Sequence, residues 1–117
     1  MEKIFVNFTN HPASRWEENQ TRKALEYGKI VDVPFPSVEP KGDEEYIANL
    51  AEECVQQIME HQPQAVLCQG EFCLAYHVIC RLKEKGIKVL AACSERCVQE
   101  QGNKKEVVFR FVQFREY

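Results

Sequence analysis

The sequence predicts an α/β domain built on a mostly parallel five-stranded sheet with an antiparallel C-terminal edge strand. Two observations carry that expectation. Short apolar runs alternate with amphipathic helical stretches, and the runs at residues 65–68 and 87–93 are apolar but for Lys88, as strands buried on both faces are. A length of 117 residues suits one domain, residues 1–117, around a single core.

Each element has its own signature. Residues 3–8 are short, apolar and aromatic, and read as the first strand; Asn10, His11 and Pro12 follow as a turn. Residues 14–27 read as a helix, with Ser14 as N-cap and Glu17 at the capping-box spacing. Trp16, Gln20, Ala24 and Tyr27 share its inner face, and Gly28 ends it. Residues 29–33 form the second strand. A proline-rich loop then leads to Asp43, the cap of the clearest helix, where Tyr46, Ile47, Leu50, Ala51, Cys54, Val55, Ile58 and Met59 recur at the helical period. The third strand, residues 65–68, turns through Gln69, Gly70 and Glu71 into a helix over residues 72–85. The fourth strand is residues 87–93. Residues 94–105 are polar with a turn signal at Gly102-Asn103, and residues 106–117 close the chain as an aromatic-rich strand. No helix separates the last two strands, so the fifth lies antiparallel at the edge. The alternating order implies right-handed crossovers and helices on both faces, a Rossmann-like three-layer sandwich.

Fifteen basic and eighteen acidic residues give a net charge of −3, which argues against a wide basic surface for long nucleic acid. A small phosphorylated ligand held by a few donors remains compatible. No apolar stretch approaches a membrane span, and the N-terminus lacks a secretion-type apolar core, so a cytoplasmic location is expected. The six cysteines contain no C-x₂-C knuckle, and most sit in apolar runs. They read as reduced, buried thiols ahead of a metal site or redox pair.

In parallel sheets ligands bind beyond the carboxyl ends of the strands, near the point where strand order reverses. Three segments meet that rule, and in each polar residues abruptly replace apolar ones. The first offers Asn7, Thr9, Asn10 and His11, then Arg15 and Trp16 at a helix start, where amides and a guanidinium attract phosphate. Trp16 can stack on a base or simply anchor the helix. The second is Gln69, Gly70, Glu71 and Phe72: Gly70 suits close backbone approach or a tight turn, and Glu71 suits a site or a helix start. The third is Ser94, Glu95 and Arg96, where Arg96 can neutralise a phosphate or remain a solvated loop charge. Of the histidines only His11 is placed for acid–base work; His77 lies mid-helix and His61 at a helix end.

No dinucleotide, nucleoside-triphosphate, serine-elbow or zinc-protease motif is present, and no cofactor or metal is expected. The helix starting at Phe72 is apolar nearly all round until Arg81, which predicts a homodimer through residues 72–85.

The stretches Phe5–Pro12, Val66–Phe72, Ala91–Arg96 and Val108–Tyr117 resemble the small single-domain Rossmann-like proteins of type III CRISPR loci. The matched motifs are strand–Q-G-[ED]-F–helix, strand–[ST]-x-R and a terminal F-R-F-x-x-F-R-like strand. The turn Asn10-His11-Pro12 and Trp16 depart from that pattern. The resemblance implies a nucleotide-binding, CRISPR-associated protein of antiviral defence that binds cyclic oligoadenylate, chiefly cyclic tetra-adenylate, across a dimer two-fold. It further implies a ring nuclease that cleaves this ligand without metal to 2′,3′-cyclic phosphate products and so switches off signalling. In that mechanism His11 is the acid or base, Arg15 or Arg96 meets the phosphate, and Asn10, Gln69 and Ser94 orient it. The alternatives are a non-catalytic cyclic-oligoadenylate sponge, a nucleotide- or sugar-phosphate enzyme using Glu71, and a thiol redox protein using Cys68, Cys73 or Cys93.

Overall fold

A computed structural model describes residues 2–117. Strand β1 (Ile4–Phe8) is followed by a 3-10 turn (Ala13–Arg15), helix α1 (Glu18–Leu25) and strand β2 (Lys29–Asp32). Helix α2 (Glu44–Met59), strand β3 (Ala65–Cys68) and helix α3 (Phe72–Glu84) come next. Strands β4 (Lys88–Gln101) and β5 (Lys104–Glu116) complete the chain. The sheet order is β2-β1-β3-β4-β5; β1 to β4 are parallel and β5 is antiparallel to β4. This is the mixed α/β sheet expected from the sequence, and it is strongly curled, a half-barrel in outline.

Alternation along the central strands sorts the core onto two faces. Val6, Phe8, Val66, Cys68 and Val89 point to α2 and α3, where they meet Ile47, Ala51, Val55, Ile58, Leu74, Val78 and Leu82. Phe5, Ala65, Leu67 and Leu90 point the other way, to Ala24 of α1 with Trp16, Tyr27 and Phe114 packed around them. Helix α2 follows its sequence reading closely: the Asp43 carboxylate accepts from the Tyr46 amide at 2.8 Å, and the apolar stripe is buried. No helix among the described residues is long and apolar enough to cross a membrane.

Two expectations are corrected. Helix α1 begins at Glu18 and not at Ser14, and neither Pro12 nor Glu17 makes a side-chain cap. The reason is Trp16. Its ring packs edge-on against Phe5 at 6.3 Å while its indole N–H reaches the His11 carbonyl at 3.2 Å. Holding it there leaves Trp16 and Glu17 extended, at ψ 156 and 152, which breaks the helix in two.

The second correction concerns residues 94–105, expected as a polar loop. They belong to a hairpin in which β4 runs on to Gln101 and β5 starts at Lys104. Gly102, at φ 64, supplies the left-handed conformation needed at the first position of this two-residue turn. Beyond Cys93 the two strands pair only with each other, forming a projecting ribbon about 27 Å long. The Cα radius of gyration, 15.8 Å, reflects this arm, since a compact chain of this size has about 13.4 Å.

A bulge lies at the root of the ribbon. Cys93 pairs with Gln113 and Ser94 with Phe111, leaving Val112 as an extra residue on β5. The insertion resets the alternation, so Phe111 and Phe114 face the same side and touch at 4.9 Å. Phe114 in turn meets Phe5 at 5.4 Å, joining β5 to the α1-side core. Deleting Val112 should turn one of these phenylalanines outward and cost about 1.5–3 kcal/mol by urea unfolding, whereas Val112→Ala should change stability far less.

Candidate functional site

Strand order reverses between β1 and β3, because β2 lies on one side of β1 and the chain then crosses to the other. Beyond the carboxyl ends of these strands is a cavity of about 580 Å³. The loop after β1 contributes Thr9, Asn10, His11, Arg15 and Trp16; the turn after β3 contributes Gln69 and Gly70; β4 contributes Ser94. Residues from all three segments singled out in the sequence therefore line one space. Glu17, Gln20, Leu67, Ala92, Phe109 and Phe111 complete the wall.

The β1 loop is held by a buried polar cluster. Asn7 is 1% exposed, and its amide NH₂ donates to the His11 carbonyl at 2.8 Å and to Asp32 Oδ1 at 2.9 Å. The Thr9 hydroxyl donates to Asn7 Oδ1 at 2.8 Å and accepts from the His11 amide at 3.1 Å. With the Trp16 indole added, the His11 carbonyl receives N–H donors from two elements. Asp32 Oδ1 also accepts from the Ala13 amide, at 3.2 Å, so the end of β2 helps to fix the same turn. The His11 backbone is thus fixed while its exposed imidazole makes no hydrogen bond among the described residues. Asn7 lies beneath the cavity as a support, outside its lining.

Gln69 has a double position. Its Oε1 accepts from the Ala92 amide at 2.9 Å, continuing the link between β3 and β4 where the ladder ends, and its amide nitrogen is left at the cavity. Gly70 is required by packing on the far side, since a Cβ there would lie 2.5 Å from the Phe35 ring. Glu71 is committed to α3: its carboxylate accepts from the Leu74 amide at 2.7 Å. Phe72 is 90% exposed and does not line the cavity. Arg96 lies outside the lining too, on the ribbon beyond Ser94, and both residues belong to a strand instead of a loop.

Sequence reasoning passed over Asp32, Gln20 and the two ribbon phenylalanines. Phe109 and Phe111 had a usable signal, the alternation Val107–Phe109–Phe111, but the bulge that aims them appears only in the pairing register. The helix start predicted to greet a phosphate is replaced by the turn carrying Arg15, and Glu17 at the mouth of α1 lies 3.8 Å from Arg110.

The cysteines divide by environment. Cys54 and Cys68 are buried, Cys73 is exposed, and Cys80, Cys93 and Cys97 are half-buried. Burial, and to a lesser degree Cys54, push the Cys68 thiol up to about 12, away from the thiolate that redox chemistry needs. Burial also raises Cys54 and Tyr117, whose hydroxyl donates to the Cys68 carbonyl at 2.8 Å. Among the described residues no group of three His, Cys, Asp or Glu side chains is arranged to hold a metal.

The chain belongs to the family described as uncharacterized protein MJ1673 family, whose model matches residues 3–115. No curated protein and no solved structure matches it.

Two measurements check these assignments. Asn7→Ala removes one donor from Asp32 and one from the His11 carbonyl and should lower stability by about 1–3 kcal/mol in urea unfolding, whereas His11→Ala should leave it within about 0.5 kcal/mol. As pH rises past 9.0, an unfolded chain loses the Cys68 proton, while the folded chain keeps it to about 12. Stability therefore falls with rising pH across that window. Between pH 8 and 10 the wild type should lose about 1.4 kcal/mol more than Cys68→Ala.

Proposed function

We propose that this protein binds cyclic oligoadenylate, with cyclic tetra-adenylate as the first candidate, and cleaves it without metal to 2′,3′-cyclic phosphate products. The observation that carries the reading is the meeting of His11, Arg15, Gln69 and Ser94 in one cavity beside the aromatic rings of Trp16, Phe109 and Phe111. Cationic and amide donors suit phosphate, aromatic rings suit bases, and the fixed turn beneath His11 presents an unengaged imidazole. The sequence resemblance to type III CRISPR-associated proteins, at the strand ends that line this cavity, supplies the ligand class.

The reaction needs positioning and charge compensation. A ribose 2′-OH attacks the adjacent phosphorus in line, the 2′ proton leaves to a base, and the bond to the 5′ oxygen breaks as that oxygen takes up a proton. His11 serves as the acid or base, Arg15 offsets charge on the phosphoryl oxygens, and Gln69 Nε2 and Ser94 orient them. Arg96 acts from the neighbouring ribbon. In this reading the domain is a cytoplasmic, Rossmann-like homodimer of antiviral defence. Phe72 and Tyr76 of α3, 90% and 67% exposed, mark the face through which two copies meet.

Glu71 is less suited to the alternative role of acid or nucleophile, because its carboxylate already caps α3. Incubation with labelled cyclic tetra-adenylate in excess chelator should yield linear product, and sedimentation of the same preparation should give a dimer. His11→Ala should bind the ring as wild type does and cleave it about 10²–10⁴-fold more slowly. Binding without any product would make the protein a sponge, and unchanged turnover in His11→Ala would remove His11 from the mechanism.

A further inference from the structure

We infer that the β4–β5 ribbon carries a second nucleotide subsite, formed by the Phe109 ring and the Arg96 guanidinium, contiguous with the cavity. The inference rests on the oligonucleotide reading above and specifies how much of the ligand lies outside the cavity.

The ribbon is two-stranded beyond Cys93, an arrangement that is marginal in water when nothing covers it. Its pairing places Ser94 opposite Phe111, Arg96 opposite Phe109 and Val98 opposite Val107. In an antiparallel pair these six side chains share one face. Phe111, at the root, is 6% exposed; Phe109, one pair further out, is 63% exposed, and Val98 and Val107 beyond it are 50% and 43% exposed. The stripe therefore starts inside the cavity wall and continues into solvent. The opposite face is largely polar: Glu95 opposes Arg110 and Gln99 opposes Glu106, with one Cys97–Val108 pair between.

The chemistry of that exposed stripe is specific. Directly opposed residues on one ribbon face have Cβ atoms about 4.5–5.5 Å apart, so an aromatic ring and a guanidinium stand side by side. A base stacks on the first and the adjoining phosphate meets the second. Among the described residues Arg96 makes no ion pair, in contrast to Arg110, which faces Glu17. The cavity alone, about 580 Å³, is the size of small-ligand pockets. A ring of several nucleotides exceeds such a space, and the unit that emerges over Phe109 at the cavity rim meets Arg96 opposite it. One nucleotide thus sits by His11, Arg15 and Trp16, and a neighbouring one lies on the ribbon.

The test titrates wild type, Phe109→Ala, Phe109→Trp and Arg96→Ala with adenosine monophosphate and with cyclic tetra-adenylate, by calorimetry. Because Phe109 and Arg96 are exposed, thermal unfolding should match wild type in all variants. Phe109→Ala should weaken the ring by roughly ten- to a hundredfold and the mononucleotide far less; Phe109→Trp should restore the ring. Arg96→Ala should show the same selective loss. Equal weakening of both ligands would put Phe109 in a single-nucleotide site, and no weakening of either would remove the ribbon from binding; each overturns the subsite and spares the ligand reading. Failure of wild type to bind the ring would overturn both.

Discussion

The site depends on the amide of Asn7. A polar side chain at the end of a central strand is costly to bury unless each of its groups is matched, and here each is. The two amide protons go to the His11 carbonyl and to Asp32, and the carbonyl oxygen receives the Thr9 hydroxyl. Three elements are tied together in this way: the end of β1, the end of β2 and the turn that carries His11. Trp16 closes the arrangement from the other side by donating to the same carbonyl while its ring covers Phe5. A loop of small polar residues becomes a rigid shelf because its backbone bonds are directed inward and its imidazole is left outward.

The opposite wall is built by apolar contact. Phe5, Phe114 and Phe111 form a chain of rings from the sheet interior to the cavity, and the single extra residue at Val112 puts the last two in line. The Asn19 side chain adds a clamp by donating to the Phe111 carbonyl at 3.0 Å, fixing β5 to α1 at the cavity edge. The polar shelf and the aromatic wall thus belong to opposite ends of the chain. Parallel pairing of β1, β3 and β4 brings them into register.

Much of this was legible in the residues. The all-apolar runs at Ala65–Cys68 and Val89–Leu90 announced central strands, and the stripe from Ile47 to Ile58 announced a helix on their face. The rule that ligands sit beyond strand ends then selected three segments, each of which contributes residues to one cavity. Legibility failed where tertiary contact outweighed local preference. Ser14 and Glu17 have the spacing of a helix cap, yet the packing of Trp16 takes the backbone elsewhere. Residues 94–105 are polar enough for a loop, but cross-strand pairing makes them a ribbon, and charged residues on an exposed strand carry no apolar signal. Asn7 and Glu71 resemble ligand-facing groups in sequence because capping and ligand binding use the same chemistry.

The charges along β5 have a separate consequence. An edge strand as long as Lys104–Glu116, with Val107, Phe109 and Val112 exposed, offers unpaired backbone groups to any other extended chain. Lys104, Lys105, Glu106, Arg115 and Glu116 flank those apolar positions, and Arg110 lies among them. Lateral addition of a further strand would bring these ionic groups against a foreign backbone and strip their hydration. The aromatic stripe can therefore stay open to a compact ligand while the border beside it discourages self-templated aggregation.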